Sequence, residues 1–263
     1  MSPDALTVRA RRVWEELAGV PVRFRPPSAA GPEVVVAPGS GFAPPAWTGV
    51  VTLGGATVVT VPTPAAAALL RRALATCPVA SHTDAVAMAA ALPVTAVLGP
   101  ASLAYLDPGD FAPGSSGDGP ADAATAPVER VDPGHPDLLR LLAEADPGDA
   151  DESGLGEITS PAFAVREAAT GALVAAAGYG AWPAATAHLC VLTARDLRGR
   201  GLARRAAAGA VAHALDADLL PQWRARPPAS RRVARALGFR ELGHQLSLEL
   251  GPADGGSPRS VHG

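Results

Sequence analysis

HLCVLTARDLRGRGLARRAAAG, residues 188–209, joins a strand, a loop and a helix in one run. An apolar strand ends at Thr193, a four-residue polar connection follows, and the segment from Arg198 to Ala203 opens a helix. Gly199 and Gly201 allow a tight turn and a close backbone approach to a ligand. The free N–H groups of the first helical turn, at the positive end of the dipole, point outward. Such a corner binds an anion. Arg198, Arg200, Arg204 and Arg205 surround it, and a guanidinium grips phosphate oxygens bidentately. There is no Lys here for a Walker A loop, and no GxGxxG after a first strand for a dinucleotide fingerprint.

Outward from this run, FAVRE (163–167), ALVAAAGYG (172–180) and TAHLCVLT (186–193) read as consecutive strands, the first two joined by a turn at Thr170 and Gly171. VERV (128–131) reads as an earlier strand and HPDLLRLLAEA (135–145) as a helix. Downstream, 201–215 is helical, LLPQW (219–223) extended, ASRRVARALGF (229–239) helical and HQLSLEL (244–250) an alternating strand. The first half holds short β-branched runs, EVVVAP, TGVVTLGG and ATVVTVP, alternating with the helical PAAAALLRRALA and DAVAMAAAL. That pattern is a small mixed α/β unit.

Composition narrows the chemistry. Of 263 residues 48% are hydrophobic, and the formal charge is −3, so the chain is globular and long enough for one large or two ordinary domains. All 22 basic residues are Arg, and Asn is also absent. Schiff-base chemistry, a Walker A site and N-glycosylation each need one of the missing residues. Residues 107–157 hold 13 acids against Arg130 and Arg140, whereas 195–240 hold 11 Arg against three Asp. The low net charge thus hides an acidic belt and a basic segment. DPGDFAPGSSGDGPADAATAP (107–127) has the composition of a flexible linker. Cys77 and Cys190 form neither a disulfide framework nor a metal pattern, which fits a reduced cytoplasmic setting without a metal. The first 19 residues read as an amphipathic helix rather than a signal peptide. The uncharged stretches are broken by Gly or Pro, so no membrane span is expected.

The segment Arg198-x-x-Gly201-x-Ala203, after a strand ending in Thr193, resembles motif A of the GNAT superfamily of N-acetyltransferases. Residues 219–250 resemble its motif B and closing strands: a strand, a helix of the form SxxxAxxLGF, then an antiparallel hairpin. Pro221-x-Trp223 and Ser230 further resemble a bacterial subgroup with an additional N-terminal domain. The resemblance implies an α/β (α+β) GNAT fold: a central mixed, mostly antiparallel sheet flanked by helices. It also implies four segments: an N-terminal α/β domain (1–106) that is a degenerate GNAT unit or a lid, a linker (107–127), the acetyltransferase domain (128–250) and a disordered tail (251–263). Two departures stand out. Pro227 occupies the usual Asn position of motif B, and Ala234 the place of the Tyr that serves many relatives as general acid.

On the same resemblance, acetyl-CoA is the co-substrate and the acceptor is a small-molecule or peptide amine, which attacks the thioester directly. The protein would act as a monomer or homodimer, with no nucleic-acid or membrane partner. Main-chain N–H groups of Gly199, Arg200, Gly201, Leu202, Ala203 and Arg204 would hold the pyrophosphate, with Arg198 beside them. Val191, Leu192 and Thr193 would pair with the pantetheine arm and supply an oxyanion donor. Ser230 is either a coenzyme ligand through its hydroxyl or a helix N-terminal residue. Glu157, flanked by apolar Leu155 and Ile158, is a partly buried general base or a solvent-facing carboxylate. His188 is the other candidate base, sharing a strand face with Cys190 and Leu192. Glu152 borders the acceptor. Trp223, Arg224 and Arg226 either line the acceptor pocket or are a core aromatic with two surface arginines. The acidic belt favours a cationic acceptor, unless it only solvates the linker. The alternative to an enzyme is a non-catalytic acyl-CoA-binding or regulatory module.

Overall fold

A computed structural model of the chain describes residues 4–26, 31–75, 77–114 and 127–251. Most of the expected linker and tail therefore lie outside the described residues. Along the chain come α1 (Ala5–Leu17), β1 (Glu33–Val36), β2 (Thr48–Leu53), β3 (Ala56–Val61), α2 (Pro64–Leu74), α3 (Ala85–Ala91) and β4 (Val94–Tyr105). Then follow β5 (Glu129–Val131), α4 (Pro136–Glu144), α5 (Pro147–Ser153), β6 (Ala162–Arg166), β7 (Leu173–Trp182) and β8 (Thr186–Thr193). The chain continues through α6 (Leu202–Asp216), β9 (Leu220–Ala225), α7 (Pro228–Ala236) and β10 (Arg240–Leu250). Among the described residues two compact units result, neither continuous in sequence: one holds residues from 14–101 and 243–251, the other from 4–13 and 102–242.

In the first unit the strand order is β1-β3-β2-β10-β4. β2 and β3 are buried along their whole length, as β-branched strands covered on both faces should be. Thr63 caps α2 through the Ala66 N–H (3.2 Å), and Pro64 starts the helix where its missing N–H costs nothing. Leu70 and Leu74 of α2 are buried against Val34, Val59, Leu246 and Leu248, each stabilising by about 2 kcal/mol. The strand at 244–250, expected to close the second domain, thus belongs to this first unit. It is one arm of no hairpin.

In the second unit the order is β4-β9-β8-β7-β6-β5. Every pairing there is antiparallel except β8 with β9, which gives the mixed, mostly antiparallel sheet expected. The place beside β9 is filled by the last four residues of β4, Ser102 pairing with Ala225 and Tyr105 with Gln222. β7 pairs in register with β8, from Ala175 with Thr193 to Trp182 with Thr186. Consequently Ala177, Tyr179, Leu189 and Val191 face α6, while Ala176, Cys190 and Leu192 face α4 and the turn after α5. Small residues let α6 sit close to the sheet. Ala206, Ala207 and Ala210 are fully buried, and a Cβ on Gly209 would come 2.7 Å from Phe163.

Candidate functional site

The β8–β9 ladder runs from Thr186 with Leu220 to His188 with Gln222 and stops. Beyond it β8 stays paired with β7 as far as Thr193, and β9 with β4 as far as Ala225. The strands therefore part. The β9 side of residues 189–193 has no strand partner among the described residues, and a cavity of about 450 Å³ opens beside it. β8 gives Val191, Leu192 and Thr193 to its wall, the following loop Arg198, Gly199 and Gly201, and α6 Leu202, Ala203 and Arg204. β9 adds Trp223 and Arg224, α7 adds Ser230, and α5 adds Asp149 and Glu152.

The corner before α6 is shaped by two glycines with left-handed φ, 82° at Gly199 and 78° at Gly201, and no side chain caps the helix. The first N–H returned to the helix backbone is that of Arg205, bonded to the Gly201 carbonyl (3.1 Å). The preceding N–H groups are the unsatisfied donors of a helix start. A Cβ on either glycine would meet nothing within 4 Å, so the cradle is open. Two further polar atoms on the cavity wall, Thr193 Oγ1 and Arg204 Nε, are buried without a hydrogen-bond partner among the described residues. A phosphate-bearing, strand-like ligand suits this donor set, because it supplies the missing acceptors along one line.

A family model described as GNAT acetyltransferase matches residues 164–244, which span β8, the glycine corner, β9 and α7. Over that stretch the chain is similar to GNAT acetyltransferases. Among solved structures, a GCN5-related N-acetyltransferase-like protein from Streptococcus suis is 22% identical with a TM-score of 0.44, over 58% of this chain and 62% of that one. A GCN5-related N-acetyltransferase from Kribbella flavida is 19% identical with a TM-score of 0.45, over 63% and 62%. A tandem GNAT protein from the clavulanic acid biosynthesis pathway is 17% identical with a TM-score of 0.46, over 96% and 97%. The chain spans less than two thirds of the length of the first two. No curated protein matches the sequence.

Of the coenzyme-binding candidates in the GNAT domain, all line this one cavity except Arg200, which is exposed outside it. The arginines are not free, however. Arg198 donates to Asp149 (2.8 Å) and to the Thr193 carbonyl (3.3 Å), and Arg195 donates to Asp146 (2.6 Å). Arg204 lies against Gly114 and reaches the Ala112 carbonyl (3.5 Å). Ser230 is neither a helix cap nor unengaged: its Oγ accepts the Trp223 indole N–H (2.9 Å) while its own O–H remains to donate.

The structure decides between the alternatives for the acceptor-side residues. Glu157 is exposed and outside the cavity although Leu155 and Ile158 are buried; the tight turn after α5 tucks its apolar neighbours under the sheet and turns the carboxylate outward. Trp223 is 4% exposed and packs edge-on against Phe239 (5.5 Å) in the α6-side core, so the stacking role falls elsewhere. Glu152 accepts from Arg226 Nε (3.0 Å), which leaves its carboxylate already matched.

His188 lies on the face opposite α6, as strand alternation required, but not on the cavity wall. Its Nδ1–H donates to Gln222 Oε1 (2.5 Å), and its ring stacks on Trp182 (4.1 Å between centroids, 17° between planes). Desolvation, aided by the Arg224 charge, lowers its pKa to about 4 against the Gln222 hydrogen bond. It is neutral at pH 7. Cys190 beside it is buried, with its thiol pushed up to about 11 by desolvation, so it is inert as a nucleophile. Trp182 and Gln222 are the partners of His188 that sequence reasoning missed. The register Gly180 with His188 and His188 with Gln222 puts them on the His188 face, and the alternation of LLPQW carried that signal for Gln222.

Proposed function

We propose that the GNAT domain binds acetyl-CoA in the cleft between β8 and β9 and transfers its acetyl group to an amine. The observation that carries this reading is the parting of the two strands after His188 and Gln222, next to an uncapped helix start with an open glycine cradle. Acetyl-CoA would supply an activated acetyl thioester. The N–H groups from Gly199 to Arg204 hold its phosphates, and Arg198 adds charge. The β9-side edge of Val191, Leu192 and Thr193 fixes the pantetheine arm as an added strand would. One of its N–H groups donates to the thioester oxygen, where charge grows as the amine attacks. The two cysteines are unpaired, which fits work in the cytoplasm. Among the described residues no helix is long and apolar enough to cross a membrane.

A non-catalytic acyl-CoA-binding module is favoured by one observation. Tyr179, the tyrosine nearest the cleft in sequence, has its hydroxyl bonded to His213 Nδ1 (2.8 Å) on the α6 side, so it is no proton donor for a leaving thiolate. Calorimetric titration with coenzyme A followed by acetyl-CoA turnover against an amine panel separates the readings. Micromolar binding with turnover is expected. Binding with no turnover supports the module instead, and no binding at millimolar coenzyme A refutes both.

A further inference from the structure

α5 is held to the cleft by charge rather than by packing. None of its seven residues is buried, and a helix of that length is unstable in water by itself. The chain is anchored on either side of it, by Leu141 of α4 and by Leu155, both buried against the sheet. Between those anchors, the side-chain links from 146–153 to other elements among the described residues are three ion pairs. Asp146 meets Arg195 (2.6 Å), Asp149 meets Arg198 (2.8 Å) and Glu152 meets Arg226 (3.0 Å). The middle pair belongs to the cavity: Arg198 lines it beside Gly199 and Gly201, and Asp149 lines it too. Asp146 and Arg195 lie outside it.

We propose that this clasp is an autoinhibitory contact: Asp149 engages the guanidinium that a coenzyme phosphate needs, and the phosphate, on arriving, releases α5. This rests on the coenzyme-binding reading of the same cleft. A pyrophosphate in the glycine cradle brings negative charge beside Arg198 and therefore beside Asp149. The guanidinium favours the anion with more charge and more oxygens to grip, and the carboxylate left next to it is repelled. α5 then depends on its two outer pairs, and exposed pairs contribute little in water. Such coupling runs in both directions. If the coenzyme loosens α5, loosening α5 by other means must tighten coenzyme binding by the same factor. A simple contest for Arg198 makes no such demand on Asp146, which pairs with Arg195 outside the cavity.

The test uses the full chain and coenzyme A at low salt, with calorimetric titration and peptide-level hydrogen exchange. Asp146→Asn removes an outer pair of the clasp. Asp151→Asn removes the same charge from the same helix at an exposed carboxylate that makes no ion pair among the described residues, so it measures the effect of charge alone. Asp146→Asn is expected to tighten coenzyme A binding by about two- to fivefold beyond Asp151→Asn. In the unaltered protein, saturating coenzyme A should speed exchange across 147–153 by a similar factor while slowing it at the start of α6. Equal effects of the two substitutions, or exchange in α5 that coenzyme A leaves unchanged or slows, would overturn the proposal, as would α5 amides that already exchange at the unstructured rate in the free protein. Failure of the unaltered protein to bind coenzyme A would instead overturn the coenzyme-binding reading beneath it.

Discussion

Replacing Gly201 by Ala separates a backbone effect from a ligand effect in one substitution. Gly201 holds φ 78° at the start of α6, and an added Cβ meets no atom within 4 Å. The folded protein therefore pays only for the left-handed conformation, about 1–2 kcal/mol. The smaller unfolded-state entropy of Ala returns part of that, about 0.4–1 kcal/mol. The net loss of about 1 kcal/mol should lower Tm by about 2–4 °C. Coenzyme binding has more to lose, because the methyl projects into the open space above the free N–H groups. Displacing a phosphate from one or two charge-assisted hydrogen bonds costs about 1.5–3 kcal/mol, or about 10- to 100-fold in Kd. Gly171→Ala is the matched control: φ is 69°, nothing lies within 4 Å, and the residue sits in the turn between β6 and β7. Thermal melting and calorimetric titration of both variants with coenzyme A check the pair. Equal drops in Tm with lost affinity only in Gly201→Ala are expected. If Gly201→Ala binds coenzyme A like the unaltered protein, the glycine corner is not the phosphate cradle and the reasoning fails.

Asp149→Asn releases Arg198 from its 2.8 Å contact. Both side chains are partly exposed, so the pair is screened and stability should change by less than about 1 kcal/mol. Coenzyme A should bind about two- to fivefold more tightly at low salt, with the gain shrinking at high salt; unchanged affinity at both ionic strengths would show that Arg198 does not face the ligand. His188 makes stability pH-dependent in a defined direction. Its pKa is about 4 when folded and about 6.5 when unfolded. The unfolded chain thus binds the extra proton between these values, and stability falls as pH drops from 6.5 to 4, by up to about 3 kcal/mol. Urea titrations from pH 7 to pH 4 should give a flatter profile for His188→Gln; parallel profiles would contradict the assigned burial.

The glycine corner was legible because its chemistry is local. Gly199, Gly201 and the apolar run ending at Thr193 lie within a dozen residues, and TAHLCVLT is β8 to the residue. Strand alternation also sorted Cys190 and Leu192 from Leu189 and Val191 correctly. What escaped was set by contacts distant in sequence. Nothing around Ser102 indicates that it pairs with Ala225. Leu155 and Ile158 signalled burial correctly, but neighbours on a tight turn point different ways, and Glu157 takes the solvent-facing alternative. Trp223 met two fitting descriptions, core aromatic and pocket wall, and it is both, since a strand bordering a cleft packs one face of each side chain.

The charge segregation visible in the sequence changes meaning once the chain is folded. Asp146 at the N-cap of α5 and Asp149 and Glu152 within it recur every third residue, a spacing that brings side chains onto neighbouring positions of one helix face. They meet Arg195, Arg198 and Arg226, which come from the two strand ends that border the cleft. The acidic belt and the basic segment are thus, at these three positions, two halves of one set of ion pairs rather than two independent fields. Matched pairs contribute little at long range. An all-Arg chain sharpens this, because guanidinium groups keep their charge at any working pH and hold planar anions in a fixed geometry. The acidic helix next to the cleft consequently works as a clasp for the two strand ends, and its carboxylates are spent on that clasp rather than on a long-range field.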